Sequence, residues 1–245
     1  MAKIPAVPIL LTRPAAQAAR FADQLSNRFG TRVMPVLTPL MRPVFHRPAL
    51  PVEVCSAVIF TSETAVEAAH HLRAAGLVLP QLALCVGAQT AKAAKLRGFS
   101  PRSADGDAAS LVALIRNDPP PGPLLYLRGH NTRGNIADVL NSAGLVTYSA
   151  IVYHQQAQPL SAAALAVLRA GKPVLVPLFS PRSAGLLATA LSPDCPSPLL
   201  IAALSPAVAD VAQELQPAEM RIATTPDAVA MLATVELLLN LPGAS

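Results

Sequence analysis

The sequence is short of several things. It has no tryptophan, aromatic residues make up 4%, and there are only three cysteines in 245 residues. Cys55, Cys85 and Cys195 are too few and too scattered for a disulfide framework, and no CxxC pair is present to hold zinc or run redox chemistry. No basic run reaches five residues, which with so few aromatics argues against a nucleic-acid or scaffold protein built on arginine. The longest apolar runs are broken by Pro, Arg or Thr well short of the ~18 residues that a membrane span needs. The opening MAKIPAVPILLTRP lacks the charged head, long apolar run and cleavage site of a signal peptide. A cytoplasmic, reduced protein without contact to a membrane is the expectation. Glycine patterns for dinucleotides and P-loops, the GxSxG elbow and HExxH are all missing.

Hydrophobic residues, at 52%, exclude a disordered chain despite 25 prolines, and the length suits one large α/β domain or two ordinary ones. Of 19 basic residues, 15 are arginine, against 14 acidic ones. Arginine suits fork-like recognition of carboxylates and phosphates, so the net charge of +5 permits an anionic partner without proving one.

Apolar runs that read as strands lie at 7–12, 32–37, 57–61, 82–86, 124–128, 146–152, 174–179, 199–204 and 221–224. Several are continuous stretches, as strands covered on both faces are. Ala- and Leu-rich segments between them predict helices over 14–28, 64–75, 90–97, 108–117, 132–143, 162–169, 182–191, 207–215 and 227–240. This alternation predicts an α/β fold with parallel sheets flanked by helices. Pro14 suits a first helical turn, Ser62 or Thr64 can cap the next helix, and Gly76, Gly98 and Gly144 follow helix ends.

The chain also repeats itself. Ala57–Ala65 resembles Leu175–Ala184, and Leu84–Ala91 resembles Ala202–Ala209, at a spacing of 118 or 119 residues. Two similar domains follow, although one long sheet of look-alike units would give the same pattern. The segment 35–51, with prolines at 35, 39, 43, 48 and 51, and the polar segment 154–159 both break the pattern. Two breaks fit a domain inserted into another. The predicted division is residues 1–36 with 158–245 as the first domain, 41–152 as the second, and 37–40 and 153–157 as extended linkers.

Polar residues gather just after strand ends: Thr12 and Arg13, Thr61, Ser62 and Thr64, Gly87 to Thr90, Arg128 to Thr132, Ser180 to Ser183, Ser205, and Thr224 and Thr225. Parallel sheets bind ligands at that edge, where helix N-termini attract anions. Each Ser or Thr alone is more simply a helix cap, but the set would suit a large molecule with several carboxylates or phosphates. His70 and His71 are adjacent on a helix and do not face one site; His46, His130 and His154 stand singly in sequence. Carboxylates are scarce at these edges, so a hydrolase with paired acids or a bound metal is a poor fit, and no cofactor is expected.

In order and spacing, Leu10–Pro14, Ile59–Ser62, Val86–Ala91, Leu127–Arg133 with Leu140 and Gly144, Val152-Tyr153, Phe179–Pro181 and Leu204–Pro206 together resemble the uroporphyrinogen-III synthase family. The resemblance covers nearly the whole chain. It implies two α/β domains, the second inserted, and a cofactor-free cyclase acting on hydroxymethylbilane, a linear tetrapyrrole polycarboxylate. The product would be uroporphyrinogen III, ring D being inverted and water lost. By the same resemblance Tyr153 is the catalytic residue, a phenol able to hydrogen-bond the departing hydroxyl without a competing charge. Arg13, Ser62, Thr90, Arg128, Ser180, Ser183 and Ser205 would bind substrate, while Arg133 could equally be structural. Val208 stands where some family members carry threonine, a loss that Ser205 could offset. A monomer is expected. The competing reading is an intracellular two-domain binding protein for an anionic small molecule.

Overall fold

The chain begins with β1 (Val7–Leu11), α1 (Ala15–Phe29) and β2 (Val33–Leu37). It continues through β3 (Met41–Phe45), β4 (Ala57–Phe60), α2 (Glu63–Ala74), β5 (Leu82–Cys85), α3 (Ala88–Leu96) and β6 (Ser100–Ser103). Then come α4 (Ala108–Asn117), β7 (Leu124–Gly129), α5 (Ile136–Ser142) and β8 (Thr147–Ala157). The last part holds α6 (Ala162–Arg169), β9 (Val174–Leu178), α7 (Pro181–Ala190), β10 (Leu199–Ala203), α8 (Pro206–Ala212), β11 (Glu219–Ile222) and α9 (Ala228–Leu239). These elements come from a computed structural model that describes residues 6–52, 55–131, 134–192 and 194–242.

Two compact units emerge, residues 1–42 with 157–245 and residues 43–156. The first holds a five-stranded sheet in the order β11-β10-β9-β1-β2, all neighbours parallel. The second holds a six-stranded sheet in the order β3-β8-β7-β4-β5-β6, parallel from β8 to β6. The α/β class with parallel sheets flanked by helices is as the sequence implies.

Both sheets are covered on both faces, which is why their central strands read as unbroken apolar runs. In the first unit Leu10, Val176, Leu178 and Ile201 pack with Leu168, Leu187 and Val208. Ile9, Leu11 and Leu175 turn the other way, onto Phe21 and Leu25 of α1 and Met231, Val235 and Leu238 of α9. In the second unit Val58, Phe60, Leu125 and Leu127 meet Val66 and Leu72, while Ile59, Leu84 and Tyr126 meet Leu111, Ile115 and Leu140. Each such side chain removed from water contributes about 1.5–3 kcal/mol.

Two strands were not expected, β3 and β6. Each is an edge strand, and edges tolerate proline and charge: β3 reads MRPVF and β6 reads SPRS, neither with an apolar run. β8 continues to Ala157, through residues 154–157 that read as a break, because alternating exposure needs no apolar composition. β11 starts two residues before the expected 221. α5 starts at Ile136 rather than 132; Thr132 and Arg133 lie outside the described residues.

The internal similarity has a geometric counterpart. Ala57 pairs with Leu82 and Val174 with Leu199, a partner 25 positions downstream in both cases. The residues capping the following helices match as well. Ser62 has φ −155° and ψ 153°, Ser180 φ −155° and ψ 150°. Gly87 and Ser205 have φ −158° and −157°.

Candidate functional site

In an open parallel sheet, neighbouring strands whose connections run in opposite directions leave a crevice at their carboxyl ends, and ligands bind there. In the second unit that point lies between β4 and β7, because the chain steps outward from β4 to β5 and β6 and then returns to place β7 and β8 on the other side. In the first unit the same logic selects β1 and β9.

At the β4–β7 point, Tyr153 lies across the end of β7. A Cβ on Gly129 would stand 2.7 Å from the Tyr153 Cζ and 2.9 Å from its hydroxyl, so the missing side chain is what lets the ring lie there. The backbone of the two strands fixes this approach. The register slips between Arg128 and Gly129, setting Gly129 opposite Tyr153, and the His130 N–H donates to the Tyr153 carbonyl at 2.9 Å. The phenol oxygen meets the Ser62 Oγ at 3.1 Å. Ser62 is the N-cap of α2, its Oγ accepting from the Ala65 N–H at 3.1 Å. One oxygen thus closes a helix end and steadies the phenol.

Burial pushes the Tyr153 phenol above its ordinary value; the Ser62 hydrogen bond pulls the other way, and Tyr126 adds a smaller push upward. The phenol is therefore a neutral hydrogen-bond donor throughout the neutral range.

Thr90 follows the next strand over, β5. It is buried in the first turn of α3, behind Gly87 at the N-cap. Thr61, beside Ser62, meets the Tyr126 hydroxyl at 3.2 Å. Arg128 is not brought to the phenol. Alternation along β7 puts it on the face of Tyr126, opposite to Leu127 and Gly129. There its Nε donates to Ser149 Oγ at 2.8 Å and its guanidinium to the Gly129 carbonyl at 3.1 Å.

At the β1–β9 point, Arg13 donates to Gln17 Oε1 at 3.2 and 3.0 Å and lies over the Phe179 ring, 3.9 Å from its centroid. Phe179 in turn meets Phe21 edge to face, 5.0 Å between centroids. The guanidinium is thereby held on a rigid platform by a cation–π contact and an i,i+4 partner. Next to Phe179, Ser180 caps α7: its Oγ accepts from the Ser183 N–H at 3.1 Å and meets the buried Ser183 Oγ at 2.9 Å. Ser205 begins α8 after the adjacent strand, with no side-chain cap bond of its own, and Val208 is buried behind it. Thr12 is fully buried and its Oγ1 has no hydrogen-bond partner.

The two arginines correspond. Ile9 opposes Leu175 across β1 and β9, and Leu124 opposes Ala57 across β7 and β4. Since Ala57 and Leu175 are equivalent in the repeat, Arg13 and Arg128 fall at the same place in their sheets, each beside the switch point.

Sequence reasoning places Gly129 among the strand-end residues without showing that it makes room for Tyr153, and it passes over Gln17. A glycine closing a strand next to one that carries a tyrosine was the available signal for the first, and i,i+4 spacing from Arg13 for the second. It also missed the pairing of Thr61 with Tyr126, which no local spacing announces. Among the described residues no three His, Cys, Asp or Glu side chains gather as a metal site, and no helix is long and apolar enough to cross a membrane. The chemistry on offer is hydroxyls, helix N-termini and two placed guanidinium groups, suited to holding carboxylates and handing over a proton.

Among curated proteins, none matches this chain in sequence. Its shape is similar to that of solved structures. Uroporphyrinogen-III synthetase from Helicobacter pylori 26695 superimposes with a TM-score of 0.64 at 16% identity, covering 95% of this chain and 99% of that one. A mutant uroporphyrinogen III synthase from Thermus thermophilus gives 0.47 at 18% identity, covering 96% and 99%. The first likeness supports the same fold. The family model described as uroporphyrinogen-III synthase HemD matches residues 20–233, most of the chain and every strand of its sheets but β1. The chain therefore belongs to the uroporphyrinogen-III synthase family, the cyclising lyases of heme biosynthesis whose substrate is hydroxymethylbilane.

Proposed function

We propose that Tyr153 is the proton donor as this enzyme closes hydroxymethylbilane to uroporphyrinogen III with inversion of ring D. The observation that carries this reading is the placement of a half-buried, neutral phenol at the β4–β7 switch point, its oxygen 3.1 Å from Ser62. In the leaving step the bond from the terminal carbon to its hydroxyl oxygen breaks. The phenol gives its proton to that oxygen, water departs, and the substrate becomes an azafulvene-like cation. The cation is attacked by ring D to form a spiro intermediate, which rearranges and closes. Closure releases one ring proton, which returns to the phenolate, so the phenol is restored and water is the single by-product.

The other residues act by position. Arg13 and Arg128 offer planar forks for carboxylates, and Arg13 is braced by Gln17 and Phe179. Ser62, Thr90, Ser180, Ser183 and Ser205 supply hydroxyls and helix-start N–H groups for the remaining carboxylates and pyrroles. Ser205 takes up part of what a threonine at position 208 would supply. Holding a flexible chain in one productive fold is itself a large part of the rate enhancement.

The finer organisation belongs to the same proposal. Residues 41–152 act as a domain inserted between 1–36 and 158–245, joined through 37–40 and through 153–157 at the end of β8; the discontinuous first unit supports the insertion, though not these bounds. The enzyme works as a monomer in the cytoplasm, where its three unpaired cysteines stay reduced.

The test is an assay with freshly made hydroxymethylbilane, the products being oxidised and separated into isomers I and III. Isomer III above the enzyme-free blank is expected, and isomer I alone refutes the activity. Tyr153→Phe lowers turnover while the fold is kept; unchanged turnover removes the phenol from the leaving step.

A further inference from the structure

His46 and His154 stand 108 residues apart in sequence and come together on neighbouring strands. His46 follows β3 directly, and its N–H donates to the Val152 carbonyl of β8 at 2.8 Å, which sets the pairing. His154 lies two residues further along β8. The His46 Nε2 and His154 Nδ1 are 2.7 Å apart, with 4.8 Å between ring centroids and 20° between ring planes.

Those numbers describe two rings meeting nitrogen to nitrogen. A ring nitrogen lies about 1.1–1.2 Å from its own centroid by the geometry of imidazole, so a centroid separation of 4.8 Å is close to the full in-line reach. The rings are edge to edge and nearly coplanar, not stacked. One lone pair is aimed at the other ring's nitrogen, and a single hydrogen holds the pair together. His46 is exposed and His154 half-buried, so solvent reaches the pair.

We propose that His46 and His154 form a cross-strand site of two imidazoles that binds a late first-row divalent metal ion, Cu(II) most tightly and Ni(II) or Zn(II) less so, with water completing the shell. Imidazole suits these ions, and their order of affinity is general. Two nitrogens each about 2.0–2.1 Å from one ion stand roughly 2.9–3.4 Å apart at angles between square and tetrahedral. The observed 2.7 Å opens by a few tenths of an ångström, and each ring turns by roughly 35–45° so that its lone pair, now aimed at the other nitrogen, meets the ion off the line between them. The shared hydrogen moves through solvent to the far nitrogen of its own ring, so both facing nitrogens coordinate. Tyr153 precedes His154 on the strand, and alternation turns its side chain to the other face. The metal site is thus separate from the proposed proton donor.

Titration of the full-length protein with Ni(II), followed by calorimetry in a non-chelating buffer, tests this. One saturable equivalent is expected for the wild type, and it is lost in both His46→Ala and His154→Ala. Cu(II) then displaces Ni(II), and its paramagnetic resonance spectrum shows two coordinating imidazole nitrogens. The double substitution His70→Ala with His71→Ala and the single substitution Tyr153→Phe both keep the equivalent. Far-UV circular dichroism confirms that the variants are folded. Absence of a saturable equivalent in the wild type overturns the proposal. So does its survival in either His46→Ala or His154→Ala, or its loss in the His70–His71 double variant.

Discussion

Gly129→Ala is the most informative single perturbation, because it reaches the proposed proton donor without touching any polar atom. The added Cβ would sit 2.7 Å from Tyr153 Cζ and 2.9 Å from Cε2 and the hydroxyl. Carbon atoms in ordinary contact are about 3.5–4.0 Å apart, so the ring must retreat by roughly 0.8 Å or more. The phenol starts 3.1 Å from Ser62. A retreat of that size away from Ser62 takes the pair past the ~3.5 Å at which the hydrogen bond is gone. Overpacking of this kind costs about 1–3 kcal/mol of stability. A catalytic group misplaced by about 1 Å loses on the order of a hundredfold in rate, so the turnover effect should outweigh the stability effect. Isomer-resolved turnover on hydroxymethylbilane, measured well below the melting temperature, is the assay. Gly129→Ala should fall to about the level of Tyr153→Phe, and adding it to Tyr153→Phe should reduce turnover no further, since the atom it displaces is already absent. Wild-type turnover in Gly129→Ala, or an equal further loss in both backgrounds, would refute the reasoning.

Burial holds the Tyr153 phenol above its usual value near 10. Any stability it contributes is thus fully present below pH 10 and is lost as pH rises through the folded value. Turnover should show no phenol-dependent fall through pH 9; an alkaline limb centred at or below 9 that disappears in Tyr153→Phe would contradict this. Cys85 is buried and its thiol is pushed up to about 12, so thiol reagents at pH 8 should leave it unmodified until the protein is unfolded with denaturant. Labelling of Cys85 in the native enzyme, read by peptide mass, would count against the packing of β5. Ser180 closes α7 with a cap bond and Ser205 makes none to α8. Ser180→Ala should therefore destabilise by about 0.5–2 kcal/mol, roughly 2–4 °C in Tm for each kcal/mol. Ser205→Ala should change Tm by much less, and equal shifts would show that the caps are not what separates them.

The parts of the fold legible in the sequence were those whose signal is local. Buried strands such as Val174–Leu178 show as apolar runs because both faces are covered, and helices such as Ala108–Asn117 show through alanine, leucine and a capping aspartate. β3 and β6 did not show, because an edge strand keeps its place through backbone pairing and needs no apolar face. The site was legible to the same extent. Ser62 and Ser180 are recognisable as residues between a strand and a helix, and the structure gives both the same cap. What was not legible is which side of a sheet a residue serves. Arg128 and Tyr153 look like neighbours after adjacent strands, yet the alternation along β7 and the bulge after Arg128 send the guanidinium to Ser149 and leave Gly129 under the phenol. A one-residue slip in register decides that, and no composition or spacing records it. The meeting of His46 and His154 is hidden for a related reason, since it depends on the pairing of two strands 108 residues apart.

The strand orders explain why the internal repeat is visible in only half of each unit. Read from the same side, the first sheet runs β2-β1-β9-β10-β11 and the second β8-β7-β4-β5-β6, with β3 added beside β8. β9 and β10 correspond to β4 and β5, and in both units these are consecutive in the chain, so the similarity of 57–91 to 175–209 survives as one continuous match. β1 and β2 correspond to β7 and β8, but they precede β9 by more than a hundred residues in one unit and follow β6 in the other. The second unit is the first with its chain order permuted. Permutation preserves the place where connections diverge, because that place depends on which strands adjoin and not on where the chain starts. It lies between β1 and β9 in one sheet and between β4 and β7 in the other, and in each it gathers an arginine from one strand end and a capping serine from the other. The differences between the two points then become informative. Pro14 follows Arg13 where Gly129 follows Arg128, and the register match places them at the same position. Only the glycine leaves room for a ring from the adjacent strand, so a phenol can lie across the second sheet's switch point, whereas the first presents a guanidinium braced on Phe179. One architecture thus supplies two edges with different chemistry, one carrying a neutral phenol and the other a braced guanidinium.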